Sequence, residues 1–107
     1  MRDLASAAPF WQLCYIFNMH YVYFLKSKKS KETYIGFTSN LKLRLNQHNE
    51  GMSSSTKNGV PWELVYYEAY RNINDARRRE RMLKYDGRGK AMLKKRIEQS
   101  LSQKGAA

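Results

Sequence analysis

The 107-residue sequence is poor in cysteine, in acidic side chains and in long apolar runs. Its single cysteine, Cys14, cannot form an intrachain disulfide, and no second cysteine or close histidine cluster accompanies it to bind zinc. A reducing cytoplasm is therefore the expected compartment. No apolar run approaches the roughly 20 residues that a membrane-spanning helix needs. Asp3 lies early in a short, mixed first segment, which is untypical of a signal peptide.

The shortage of acidic residues leaves a strongly basic chain. Nine Asp and Glu face twenty Lys and Arg, so the net charge is +11. Such a chain attracts polyanions, because each cation near a phosphate releases counterions. We therefore expect nucleic acid as the partner, DNA first and RNA left open, with no membrane binding. A small ribosome-associated or otherwise ordinary basic protein would share this composition.

Most of the charge lies in the C-terminal third, where twelve basic and four acidic residues fall between positions 71 and 104. A solvated helix surface would explain part of this run, but not its one-sided sign. We predict that a nucleic-acid backbone contacts basic side chains here and in the loop near residue 57. These residues are Lys57, Arg77, Arg78, Arg81, Lys84, Arg88, Lys94 and Lys95.

The residue pattern places one domain at residues 19–101, followed by a short tail at 102–107. Residues 1–18 add no net charge, and we expect a loose arm or a segment from an upstream start codon. Alternating aromatic and branched residues predict strands at 20–26, 32–37 and 62–70. Capping residues and helical spacing predict helices at 40–50, from about 72 to 84 and at 90–101. LKLRL alternates like a strand, but caps on both sides favour a helix, so the order β-β-α-β-α-α predicts a small sheet covered by helices.

The tyrosines in YVYFLKSKKSKETYIG, residues 21–36, fall on one side of the predicted hairpin. Side chains alternate along a strand, so Tyr21 and Tyr23 share a face, and Tyr34 shares one with Gly36. If Tyr23 lies opposite Tyr34 or Gly36, the tyrosines gather on one face and the apolar side chains face the helices. Gly36 then leaves room for something to approach. Half-buried structural tyrosines are the simpler interpretation of these residues alone.

Two triplets are followed by an arginine, a histidine and a glutamate. Ten residues separate YVY at 21–23 from YIG at 34–36. Arg44 comes ten positions after Tyr34, and His48 follows one helical turn after Arg44. Glu80 lies within ARRRERMLK. In these features, and in QHNEG, a Thr-Lys loop and PWELVYYE, residues 19 to about 100 resemble the GIY-YIG endonuclease superfamily. The likeness is to its small stand-alone bacterial members.

The resemblance implies a fold, an activity and roles for individual residues. The fold is α+β, a three-stranded antiparallel sheet flanked by helices. The activity is Mg²⁺- or Mn²⁺-dependent cleavage of DNA phosphodiester bonds, with structured or damaged DNA as the expected substrate. Tyr23 and Tyr34 are expected to help activate the attacking water, with Arg44 on the scissile phosphate. Glu80 is expected to hold the metal, and His48 to play a secondary catalytic role.

Simple chemistry is compatible with these roles, although each residue also has an ordinary alternative. Mg²⁺ retains water and needs few protein ligands, so Glu80 alone is sufficient. A tyrosine, with a reference pKa of about 10, becomes a credible base only beside a cation or metal-bound water. Against this, Arg44 is simply solvated on many helices, and His48 suits a helix end. Glu80 and Lys84 form an i,i+4 pair worth only a few tenths of a kcal/mol.

Two departures from the family pattern keep a second function open. Tyr21 replaces the first glycine, and no asparagine follows Glu80 in GRGKAMLKKRI, where several larger members carry one. The alternative is a nucleic-acid-binding module of the same fold that cuts little or nothing. A lone nuclease domain would take its specificity from DNA shape or from a targeting protein. We expect a monomer or a weak dimer.

Overall fold

The computed structural model describes residues 18–103, so Cys14, nearly all of the expected arm and most of the expected tail lie outside the described residues. Three strands and four helices follow one another along the chain. They are β1 (His20–Ser27), β2 (Thr33–Thr38), α1 (Leu41–Asn49), β3 (Trp62–Tyr70), α2 (Ile73–Tyr85), α3 (Gly87–Arg96) and α4 (Glu98–Ser102), with a 3-10 turn (Lys57–Gly59) before β3. Between residues 18 and 103, no helix is long and apolar enough to cross a membrane.

The strands form one antiparallel sheet in the order β2-β1-β3, which confirms the predicted three-stranded sheet flanked by helices. Tyr23 pairs with Gly36, one of the two registers considered from the sequence, and Tyr34 pairs with Leu25. A bulge between Phe24 and Leu25 shifts the register against β3. The central strand therefore carries Tyr23, with its neighbours on both sides fixed by backbone pairing.

The two faces of the sheet bury two separate cores. On one face Val22 and Phe24 pack with Ala76 and Leu83 of α2 and with Leu93 of α3. Burying a side chain such as Phe24 stabilises the fold by about 1.5–3 kcal/mol.

The opposite face carries the tyrosines. Here Tyr23, Leu25 and Trp62 pack with partly buried residues that include Leu41 and Leu45 of α1. The alternation predicted for β1 and β2 is therefore present. However, α1 covers the face that carries Tyr23 and Tyr34. This face therefore forms a second small core and is not an open surface.

Side-chain caps mark where α1, α2 and α3 begin. The Asn40 side chain accepts a hydrogen bond from the Leu43 backbone at 3.1 Å, which starts α1 and confirms a helix for LKLRL. Asn72 caps α2 in the same way through Asn74 at 2.8 Å. The cap satisfies backbone donors that a helix leaves unpaired, so it outweighs the period-two pattern.

The prediction of one final helix over 90–101 is wrong. Asp86 caps α3 through the Arg88 backbone at 3.0 Å, so the helix begins at Gly87 and the predicted four-residue break is much shorter. α3 ends at Arg96. Ile97 is buried in the core, and the short α4 continues after it. The backbone of Ile97 has φ −109° and ψ 24°, outside the helical region, and this divides what the apolar spacing predicted as one helix.

Candidate active site

The β1–β2 hairpin fixes the position of Tyr23 through its neighbour across the ladder. A Cβ atom built on Gly36 would lie 2.3 Å from both Cζ and Oη of Tyr23. The phenol therefore lies directly over the Gly36 backbone, at a distance that no other residue type permits without a shift. Tyr23 itself is only 3% exposed. Gly36, predicted as a structural glycine, sets where the Tyr23 hydroxyl points.

A hydrogen-bonded chain leads from the Tyr23 phenol into the protein. Its oxygen lies 2.8 Å from Nε2 of His48, and Nδ1 of His48 lies 2.7 Å from Oγ1 of Thr56. His48 is 0% exposed and Thr56 is 2% exposed. The loop that carries Thr56 is held in turn, because Trp62 Nε1 donates to the Thr56 carbonyl oxygen at 2.7 Å. The imidazole is thus oriented from both sides.

Burial controls the protonation of both rings. It lowers the pKa of His48 from 6.5 to about 4, and the positive charge of Arg44 acts in the same direction. A neutral imidazole has one ring N–H, so His48 donates to one of its two partners and accepts from the other. Burial also raises the pKa of Tyr23 from 10.0 to about 12; a hydrogen bond from Arg44 opposes this, while Tyr34 and Glu80 add to it. The resting site contains a neutral phenol and a neutral imidazole.

Arg44 and Tyr34 complete the side of the site nearest α1. The guanidinium of Arg44 is oriented along its helix, because Nη1 donates to Oε1 of Gln47 at 3.1 Å. The Tyr34 ring lies 5.1 Å from the His48 ring and 6.2 Å from the Tyr23 ring, measured between centroids. The structure therefore brings all four predicted catalytic residues together, while their individual roles stay predictions.

Helix α2 brings a carboxylate and an ammonium group to the same place. Oε2 of Glu80 lies 3.0 Å from Nζ of Lys84, and that Nζ lies 5.6 Å from the centroid of the Tyr34 ring. Burial alone would lower the pKa of Lys84, but its hydrogen bond and charge interaction with Glu80 raise it. Through this ion pair the Glu80 carboxylate lies near Tyr34, and its charge contributes to the raised pKa of Tyr23.

The donor set around Glu80 limits the kind of metal site that could form. Among residues 18–103 there is no group of three or more His, Cys, Asp or Glu side chains that could hold a metal ion. A protein-only cage therefore does not fit. One carboxylate does fit Mg²⁺ or Mn²⁺, because such ions take most of their ligands from water and substrate phosphate.

The predicted nucleic-acid contacts have different environments. The Arg77 guanidinium lies over the Phe37 ring at 5.1 Å, and Arg78 forms a 3.0 Å ion pair with Asp75 that is largely exposed. Lys84 belongs to the site just described. The others are exposed on the 3-10 turn, α2 and α3, namely Lys57, Arg81, Arg88, Lys94 and Lys95. Contact of these residues with nucleic acid stays a prediction.

Arg79 differs from its basic neighbours, because its guanidinium is bound to a carboxylate within the protein. Its guanidinium donates to both carboxylate oxygens of Glu68, at 2.9 and 3.1 Å from Nε and 2.9 Å from Nη2. Tyr66 and Tyr70 donate to the same carboxylate. Burial opposes ionisation of Glu68, but these three hydrogen-bond partners lower its pKa. This cluster is a structural network, away from the Tyr23 site.

Sequence reasoning missed two members of the site. Thr56 lies in a Ser-rich loop without periodicity, so nothing in the sequence indicated its contact with His48. Gln47 follows Arg44 by three positions, a spacing that puts both on one helix face and could have identified it.

Comparisons with known proteins agree with this geometry. A family model described as GIY-YIG catalytic domain matches residues 19–94. A UPF0213 protein from Clostridium perfringens (strain 13 / Type A) is 40% identical over 67 residues, which cover 62% of this chain and 71% of the relative. A solution NMR structure of a UPF0213 protein from Bacillus halodurans has a TM-score of 0.50 and 26% identity, covering 83% of this chain and 99% of its own.

A further relative has a more specific name. It is the "Structure-specific endonuclease subunit SLX1 homolog" from Cryptosporidium parvum (strain Iowa II), 48% identical over 50 residues. The match covers 43% of this chain and only 12% of that protein. The resemblance to GIY-YIG proteins, inferred from the two triplets and the Arg, His and Glu that follow them, is confirmed.

Proposed function

Because this chain belongs to the GIY-YIG catalytic domain family, a family of nucleases that generally depend on metal, we propose that it is a Mg²⁺- or Mn²⁺-dependent DNA endonuclease. The observation that carries the proposal is the hydrogen-bonded chain from Tyr23 through His48 to Thr56, with Arg44 and Glu80 acting on the same phenol. Structured or damaged DNA is the proposed substrate class. The similarity to a protein named as a structure-specific endonuclease subunit supports a structured substrate.

Arg44 is the group suited to the scissile phosphate. Its planar guanidinium presents paired donors that match phosphate oxygens, and Gln47 orients it at 3.1 Å. Negative charge grows on the phosphate as the nucleophile attacks, and a fixed cation stabilises that growth. Arg44 therefore both binds the substrate and stabilises its transition state.

Tyr23 is the candidate for proton transfer, and His48 is suited to orient its hydroxyl. With a pKa of about 12, Tyr23 is a phenol at rest, and its ionisation at neutral pH would cost about 7 kcal/mol. A cation beside the oxygen is therefore needed to lower this cost, and Arg44 is that cation. Nε2 of His48, at 2.8 Å, accepts the hydrogen bond from the phenol when the ring proton is on Nδ1 toward Thr56; with a pKa of about 4, the imidazole orients the hydroxyl and does not take up its proton. Tyr34 packs against both rings and supplies a second phenol.

Glu80 is the residue that would hold the divalent ion, with its remaining ligands from water and phosphate. When bound there, the metal supplies Lewis-acid stabilisation of phosphate charge and lowers the pKa of a bound water.

The direct test is cleavage of branched, single-stranded and plasmid DNA with Mg²⁺ or Mn²⁺ present. Tyr23→Phe is expected to lower the rate at least about 100-fold, the size of effect typical of a general acid or base. Glu80→Gln is expected to lower it at least as much, because it removes the charge that would hold the metal. Glu98→Gln is the matched control, because it removes an exposed carboxylate from α4, outside the site described above. Wild-type cleavage by Glu80→Gln would show that the assigned centre is wrong.

The alternative of a binding module has its own support, because Glu80 is already ion-paired with Lys84 and no family asparagine follows it. In that case Mg²⁺ would change the mobility of a protein–DNA complex without producing new strand ends. Replacing Arg81 or Arg88 by Ala would weaken binding and flatten its salt dependence. New ends that appear only with metal, and disappear in Glu80→Gln, would eliminate this alternative.

A further inference from the structure

The ion pair between Glu80 and Lys84 occupies the place where the proposed metal would bind. The two side chains are one helical turn apart on α2, with Nζ and Oε2 3.0 Å apart. The Lys84 side chain is 33% exposed and the Glu80 side chain 21%, so the pair is more shielded from water than an ordinary surface pair. The Tyr34 ring closes the other side of the ammonium group at 5.6 Å.

A cation beside a carboxylate competes with any second cation. A divalent ion on Glu80 would meet the Lys84 ammonium at a few ångströms, where two positive charges repel strongly in a partly buried site. Residues 18–103 contain no cluster of acidic groups that would offer the ion a different site. The metal therefore has to displace the lysine from the carboxylate.

The Lys84 side chain is suited to leave the Glu80 carboxylate. Its ammonium group sits on a flexible four-carbon stem and has three rotatable donors, which bind a phosphate oxygen as readily as a carboxylate. The other cation near this site is held differently, because Gln47 restrains Arg44 within α1. A phosphate bound beside Tyr34 and Arg44 would therefore attract Lys84 and free Glu80 at the same time.

We propose that Lys84 is the resident counter-ion of Glu80 in the DNA-free protein, and that it releases the carboxylate to a divalent metal when a DNA phosphate takes up its ammonium group. This inference rests on the proposed function, since it assumes that Glu80 is the metal ligand. Lys84 weakens metal binding in the absence of DNA, and metal and DNA each strengthen binding of the other. The coupling is reciprocal, as thermodynamic linkage requires.

The test measures Mn²⁺ affinity of the DNA-free protein by calorimetry, without any dependence on cleavage. Lys84→Met keeps the length and apolar stem but removes the charge, and we expect it to bind Mn²⁺ about tenfold more tightly. Lys84→Arg keeps the charge and should stay close to wild type. Lys29→Met is the charge-matched control, because Lys29 is exposed in the β1–β2 turn, and it should leave the affinity unchanged.

Circular dichroism establishes that the variants are folded, and Lys84→Gln replaces Lys84→Met if the latter is not. The inference is overturned if the neutral variant binds Mn²⁺ no more tightly than wild type, or if its binding cannot be measured. An equal gain in affinity in Lys29→Met also overturns it. If the Mn²⁺ affinities overturn the inference while wild type cleaves DNA and Glu80→Gln does not, only the role of Lys84 is removed. The nuclease proposal then stands. Unaltered cleavage and Mn²⁺ binding by Glu80→Gln would instead remove the assigned centre, and with it both proposals.

A second measurement addresses the coupling. In a Tyr23→Phe protein, which is expected to bind DNA without cutting it, Mn²⁺ should tighten DNA binding severalfold, as measured by fluorescence anisotropy. Adding Lys84→Met should reduce this gain, because the competing cation is gone and only the direct contact between metal and phosphate still couples the two. A gain of the same size with and without Lys84 would contradict the proposed release.

Discussion

Acidification should destabilise this protein through His48. Burial holds the pKa of His48 at about 4 in the folded state, against 6.5 for an ordinary histidine. The unfolded chain therefore binds the proton more readily, and folding stability is greatest above pH 6.5. As the pH falls from 6.5 to 4, this contribution is lost, and below pH 4 none of it remains. A difference of this size corresponds to roughly 3 kcal/mol, a large part of the stability of a small domain.

The assay is urea unfolding at a series of pH values, compared between wild type and His48→Gln. The glutamine amide can bond both Tyr23 and Thr56 but does not titrate, so acids elsewhere contribute equally to the two proteins. We expect the stability advantage of wild type over the variant to shrink by roughly 3 kcal/mol between pH 6.5 and 4. Parallel curves over this interval would refute the reasoning, because they would mean that His48 protonates as easily in the folded as in the unfolded chain.

Three other substitutions follow from the contacts of the site and its surroundings. Gly36→Ala should cost about 1–3 kcal/mol of stability and abolish cleavage, because the new Cβ would meet the Tyr23 ring at 2.3 Å; unchanged urea unfolding would contradict the close approach. Thr56→Val should also cost about 1–3 kcal/mol of stability and lower cleavage, because it leaves a nitrogen of His48 unpaired inside the protein. Thr56→Ser keeps the hydroxyl and should retain most of the cleavage. Equal cleavage by the Val and Ser variants would show that the hydrogen bond between Thr56 and His48 does not contribute to cleavage. Glu68→Gln should destabilise the protein by about 1–3 kcal/mol yet leave cleavage per folded molecule unchanged, since its network lies away from the site; a selective loss of cleavage would show that the network reaches the site.

Local features of the sequence predicted the elements that local interactions control. The strands followed from alternation, and α1 followed from its Asn40 cap despite a competing period-two pattern. The pairing of Tyr23 with Gly36 was one of two registers that the hairpin allowed. The final helix was predicted wrongly because apolar spacing shows which residues face the core but not where the backbone leaves helical geometry, as it does at Ile97.

The site was predicted in its members but not in its connections. Tyr23 and His48 are 25 positions apart, and their hydrogen bond forms only because α1 folds over the tyrosine face of the sheet. That packing also makes the Tyr23 environment a small core, where burial raises the phenol pKa. The orientation of Arg79 toward Glu68 likewise depends on how α2 lies on the sheet, which no run of basic residues reveals.

The sequence by itself determined the charge, the strand alternation, the helix caps and the ordered residues of a GIY-YIG protein, because each of these depends on composition or on neighbours along the chain. Only the tertiary structure decided that Thr56 holds His48, that Gly36 lies under the Tyr23 phenol and that Lys84 occupies the Glu80 carboxylate beside Tyr34. These contacts depend on how the helices and the loop before β3 pack on the sheet. Their energies are set by burial, which no stretch of sequence possesses until the rest of the chain has folded around it.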